Sequence, residues 1–132
     1  MPQLFIALSE AQARAGQMEE AFATIEQAFS AVGEVQIWLP GVLWWRGELH
    51  LKRGDETLAD RDFRETIAAA RRIGSKAYEL RATTSLARLL ASQGKRDEAR
   101  AMLAAIYNQF TEGFDTADLK DAKELIDELR TA

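Results

Sequence analysis

The chain holds a single histidine, His50, and no cysteine. Histidine titrates near neutrality and can act as a general acid, a general base or a metal ligand. Each of those roles needs a second ligand or an orienting partner, and the sequence specifies none near His50. Packing or hydrogen bonding is therefore the expected role of His50. The acidic pairs Glu19–Glu20 and Asp60–Asp62 could hold a cation or share a proton. Both lie in polar helical stretches with Arg or Lys close by, and the expectation for them is a solvated surface. No nucleophile triad, zinc-ligand spacing or phosphate-cradling glycine loop occurs. The chain is therefore read as not an enzyme, with no catalytic, cofactor-binding or metal-binding residue. The richest stretch for recognition is "WLPGVLWW", which contains Trp38, Trp44 and Trp45. Large aromatics anchor interfaces as readily as they fill cores. Trp38 and Trp45 are expected to pack the linker onto the following helices, whereas for Trp44 packing and ligand contact both stay open.

Those residues must be positioned by something, and the bulk of the chain says what. With 132 residues, 47% of them hydrophobic, it can bury one domain core. Ala, Leu, Glu, Arg and Gln dominate, residues that lose little rotamer freedom in a helix, and no alternating strand pattern occurs. The expected class is all-α. The net charge of −4, without a long block of one sign, argues against a nucleic-acid partner. No apolar run approaches the ~18 residues needed to cross a bilayer, and the N-terminal stretch has no basic region ahead of its apolar residues. A cytoplasmic protein, or a piece of one, without a membrane partner is the simplest expectation.

Three stretches align on a glycine: "ALSEAQARAGQMEEAFATIEQAF", "WRGELHLKRGDETLADRDFRETI" and "SLARLLASQGKRDEARAMLAAIY". Gly16 and Gly54 are 38 residues apart, and Gly54 and Gly94 are 40 apart. Each glycine follows one helical pattern and precedes another, as expected of a left-handed residue that ends a helix. Ala21, Ala59 and Ala99 follow five positions later, where two helices would approach most closely. Ile25, Phe63 and Leu103 come four positions after those, on the same helical face. A two-helix unit cannot bury both its sides alone, so units of this length are expected to stack.

This pattern resembles the tetratricopeptide repeat family, whose helix-turn-helix unit is about 34 residues long. Gly47 stands at the small position of the first helix in the second unit, with Leu8-Ser9 and Leu86-Ala87 at the corresponding sites. His50 and Leu90 depart from the usual aromatic, and Thr66 and Ile106 from the usual late Ala. The resemblance implies a right-handed solenoid with repeats at about 2–35, 40–74 and 76–110 and a capping helix at about 116–130, all one domain over 1–132. A narrower likeness covers "ELRATTSLARLLASQGKRDEARAMLAAIYNQFTEGFDTADLKDAKELIDEL". It is similar to the C-terminal repeat tail of large bacterial signalling proteins, in which a predicted ATPase module lies behind a class III adenylate cyclase or transcription-factor domain.

In that family the first helix of each unit lines a concave groove. The resemblance places Ile6, Glu10 and Arg14 there from the first unit, Trp44, Glu48 and Lys52 from the second, and Arg81, Thr84 and Arg88 from the third. Ile6 and Glu10 stand where chaperone-binding members clamp a peptide carboxylate with Lys and Asn, so that activity is not expected. A peptide bearing both charge signs, an internal domain, or solvent alone would suit this mixed surface.

Helices are expected at about 3–15, 18–32, 41–53, 56–73, 76–93, 96–110 and 116–130. In the last, Leu119, Ala122, Ile126 and Leu129 form one stripe with Leu125 at its edge, and Asp115 or Thr116 is the expected N-cap. The first helix carries Leu4, Phe5, Ile6 and Leu8 on more than one side, which predicts that a preceding segment, a partner or a second copy covers it. The expected function is a protein-interaction scaffold, the C-terminal repeat segment of a larger bacterial signalling or regulatory protein. The alternative is a small-molecule sensor with its pocket near Trp44 and His50.

Overall fold

The computed structural model describes residues 2–33, 36–114 and 116–130. Seven α-helices account for nearly all of them: α1 (Pro2–Arg14), α2 (Met18–Val32), α3 (Leu39–Arg53), α4 (Glu56–Ile73), α5 (Lys76–Ser92), α6 (Arg96–Tyr107) and α7 (Ala117–Arg130). A single 3₁₀ turn, Gln36–Trp38, leads into α3. No strand occurs among the described residues, so the all-α expectation holds.

The three aligned glycines have the same backbone geometry. Gly16, Gly54 and Gly94 sit at φ of 81°, 87° and 84°, a region that costs any side chain a clash with its own carbonyl. At each, the following residue donates its N–H back across the turn: Gln17 to Gln12, Asp55 to His50 and Lys95 to Leu90, at 2.8, 2.8 and 2.9 Å. These bonds satisfy carbonyls that a helix end otherwise leaves free. The chain folds back at once, and α1 packs on α2, α3 on α4 and α5 on α6. Ala21, Ala59 and Ala99 are fully buried in those contacts, as are Ile25, Phe63 and Leu103. Gly47 explains its own identity: a Cβ there would lie 2.6 Å from Cε1 of Phe63.

Packing also runs between the pairs. Helices α1, α3, α5 and α7 touch in series, while α2 touches α3, α4 touches α5 and α6 touches α7. Two apolar clusters result, one around Ile25, Val42, Trp45 and Leu49 and one around Phe63, Leu86, Leu103 and Ile126. Trp44 packs against both. Helix α7 buries Leu119, Ala122, Ile126 and Leu129 against α5 and α6. Leu125 is buried with them rather than at the edge. The hydroxyl of Thr116 accepts from the Leu119 N–H at 3.4 Å and caps the helix; the other candidate cap, Asp115, lies outside the described residues.

Two boundaries differ from expectation by more than one residue. Helix α3 starts at Leu39, with Pro40 in the first turn, where its missing N–H costs nothing. Helix α6 ends at Tyr107 because Gln109 and Phe110 bond to Ile106 and Tyr107, tightening the chain into turns three residues long. No described helix is long and apolar enough to cross a membrane.

Candidate functional site

Trp44, on α3, donates its indole N–H to Ser85 Oγ on α5 at 3.1 Å. Ser85 in turn donates to Glu48 Oε1, one turn beyond Trp44, at 2.8 Å. This relay ties α3 to α5 and fixes the indole at the wall of a cleft of about 290 Å³. Glu48, Arg81, Thr84 and Arg88 line the same cleft, so the structure brings together these predicted residues from the second and third units. Thr84 spends its hydroxyl on Leu80 O in its own helix and adds mainly a methyl to the wall.

Arg81 is held from three sides. Its guanidinium lies 5.1 Å from the ring centres of both Trp44 and Tyr78 and donates to Asp118 of α7 at 3.0 Å. Burial works against its charge, but the hydrogen bond and charge of Asp118, with Tyr78, raise its pKa above the ordinary arginine value. Asp121 lines the cleft beside Asp118. The cleft therefore offers a flat aromatic, fixed charges of both signs, and the exposed Arg88 and Asp121, for which no ion pair occurs among the described residues.

Ile6 faces a neighbouring recess of about 370 Å³, mostly apolar, formed with Ile37, Trp38, Gly41, Ile73 and Tyr78. The two recesses meet at Tyr78, whose ring lines one while Arg81 of the other lies over it. Glu10, Arg14 and Lys52 line neither; Glu10 is half-buried, and Arg14 and Lys52 are exposed. The sequence reading missed Ser85, Tyr78, Asp118 and Asp121. An acid at the start of α7 suits the helix's positive end wherever the helix lies, so the place of Asp118 in the cleft depends on how α7 docks.

Trp45 points the other way. It is 8% exposed, and its N–H donates to the buried Ser9 Oγ of α1 at 2.8 Å. His50 likewise turns from the cleft, toward Phe22 of α2 with ring centres 5.1 Å apart and toward Asp62 of α4 at 3.5 Å. Its Nδ1 is buried without a hydrogen-bond partner among the described residues. Burial lowers its pKa below 6.5 despite the opposing charge of Asp62, so the ring is neutral near pH 7.

Asp62 corrects one expectation. It is fully buried, not solvated: Arg46 holds both its oxygens at 2.9 Å. Arg46 also lies 4.2 Å from the centre of the Phe29 ring and 3.4 Å from Glu26. Burial opposes its charge, yet Asp62 and Glu26 together raise its pKa. Asp60 matches expectation, pairing with Arg64 on the surface, and Glu19 and Glu20 are exposed. Among the described residues no cluster of three or more His, Asp or Glu side chains could hold a metal. No family model, curated protein or solved structure matches the chain.

Proposed function

We propose that the chain is a non-catalytic interaction scaffold: a right-handed solenoid of three tetratricopeptide-like hairpins closed by α7, whose inner face binds a protein or peptide. The observation that carries this reading is the repeated geometry at Gly16, Gly54 and Gly94, each with a buried Ala and a buried large apolar residue at equal offsets. The contacts of α1 with α3 and of α3 with α5, and the Trp44 cleft and Ile6 recess that open along them, support this reading. The fitting ligand is an extended segment with an apolar side chain for the recess and charges of both signs for Arg88 and Asp121. The likeness to repeat tails of bacterial signalling proteins supports placing the scaffold in a larger regulatory protein.

The sensor alternative has less support, because Trp44 and His50 face different sides of α3 and share no cleft. A second copy is a further partner in this reading. Leu4 and Leu8 are 67% and 49% exposed on one face of α1, and a homodimer through that helix would cover them. Light scattering of the wild type and of L4E/L8E tests this: a dimer that the double substitution converts to monomer is expected, and a wild-type monomer at micromolar concentration ends the idea.

Peptide display against the immobilised protein tests the scaffold itself. Selected peptides are expected to lose at least ~10-fold in affinity on Arg88→Glu, about 1.4 kcal/mol. Selection of nothing above background, or of peptides indifferent to Arg88→Glu and Trp44→Phe, would remove the groove as the binding face.

A further inference from the structure

The internal repeat lets one part of the molecule serve as a control for another. Between α2 and α4 a furrow runs over the floor made by α3. It is filled from within: Arg46 rises from α3, lies over Phe29, and places its charge between Glu26 and Asp62. Between α4 and α6 the next furrow runs over α5. The residue equivalent to Arg46, 40 positions on, is Leu86, which is fully buried and too short to fill the space above it. A cleft of about 280 Å³ stays open there.

The charges around the two furrows are reversed as well. Glu26 is replaced, 38 positions on, by Arg64, and Asp62, 40 positions on, by Met102. The acids that receive the guanidinium in the first furrow thus become a cation and a thioether in the second. Arg64 and Arg71 stand at the rim; Arg71 pairs with the buried Glu79 at 2.9 Å, and Arg64 pairs with the surface Asp60 of its own helix. Ile67, Leu86, Met102 and Ile106 give the interior its apolar wall. The first furrow holds an extended side chain with a cationic head; the second lacks that filler, has Arg64 and Met102 where the first has Glu26 and Asp62, and keeps its one lining acid, Glu79, paired with Arg71.

We infer that the furrow between α4 and α6 is a binding site for a small carboxylate with an apolar body, its chain on Ile67, Met102 and Ile106 and its carboxylate on Arg64. Apolar walls with a few placed polar groups are the ordinary make-up of small-ligand sites, and a guanidinium suits a carboxylate geometrically as well as by charge. This site lies on the side of α5 away from Trp44 and does not depend on peptide binding in the groove.

The test uses the whole chain with ¹³C-methyl methionine and titrations with octanoate and with octanol. Met102 lines the furrow, and Met18, packed in the other cluster, is an internal control. Octanoate is expected to shift the Met102 methyl saturably and leave Met18 in place, with octanol binding at least tenfold more weakly. Arg64→Gln, at a half-exposed side chain, is expected to weaken octanoate at least tenfold without changing the fold. Ile67→Phe, which restores the bulk found at Phe29, is expected to abolish binding. Equal shifts at Met18 and Met102, octanol binding as well as octanoate, no saturable shift, or an unaltered Arg64→Gln would each overturn the assignment.

Discussion

Trp45 donates its indole N–H to Ser9 Oγ at 2.8 Å, joining α3 to α1 at a point where Ser9 has no exposed surface. Ser9 completes the relay by donating to Ala21 O on α2 at 2.8 Å. One small hydroxyl thus connects three helices. Ser9→Ala leaves the Trp45 N–H buried and unpaired, an expected cost of about 1–3 kcal/mol. Ser85→Ala removes the matching bond to Trp44, but that indole is only half-buried and water can replace the acceptor, so a smaller loss is expected. Urea denaturation of both variants measures the difference.

Gly47 and Gly54 are required for different reasons, and substitution separates them. Gly47→Ala drives a Cβ into Phe63, an overpacking cost of about 1–3 kcal/mol. Gly54→Ala meets no atom within 4 Å but must hold φ near 87°, costing about 1–2 kcal/mol. Adding Phe63→Leu is expected to recover part of the first loss and none of the second, as read from denaturation midpoints.

Arg46 and Asp62 form the most buried ion pair described. Arg46→Ala takes both short hydrogen bonds from the fully buried carboxylate and leaves it the half-exposed Arg61 at 3.5 Å, an expected loss of about 3 kcal/mol. The double variant Arg46→Met/Asp62→Leu removes both charges and is expected to recover most of that loss. A double-mutant cycle by chemical denaturation checks the coupling.

His50 makes stability depend on pH in a narrow window. Its native pKa is lowered by burial, so below 6.5 the unfolded chain takes up the proton first. Stability from this group is therefore complete above pH 6.5 and falls as the pH drops from there toward the native value. His50 is the only histidine, and His50→Gln is expected to flatten the curve in that window, as measured by thermal melts across pH.

The turns and the small residues were legible in the sequence because each depends on its own backbone or on a fixed offset along one helix. Gly16, Gly54 and Gly94 needed only the left-handed conformation, and Ala21, Ala59 and Ala99 only the spacing of a close approach. The different directions of Trp44 and Trp45 were also partly legible, since adjacent helical residues diverge by ~100°. Pairings between helices were not. Whether Arg46 meets Asp62 depends on how α3 and α4 rotate against each other, and periodicity alone reads Asp62 as a surface acid. The lining of the Trp44 cleft was only partly legible for the same reason: α7 brings Asp118 and Asp121 to it by its docking angle, while Glu10, Arg14 and Lys52 line neither recess. The reversal from Glu26 and Arg46 to Arg64 and Leu86 can be read off the repeat, but the open volume it leaves cannot.

The most direct test of the inner-face scaffold is side-chain NMR of the tryptophan indoles during titration with a display-selected peptide. The Trp44 indole signal and the backbone amides of α1, α3 and α5 are expected to move with one affinity, while Trp45, buried against Ser9, stays still. Shifts confined to α2, α4 and α6, with the Trp44 signal unmoved, would contradict the account.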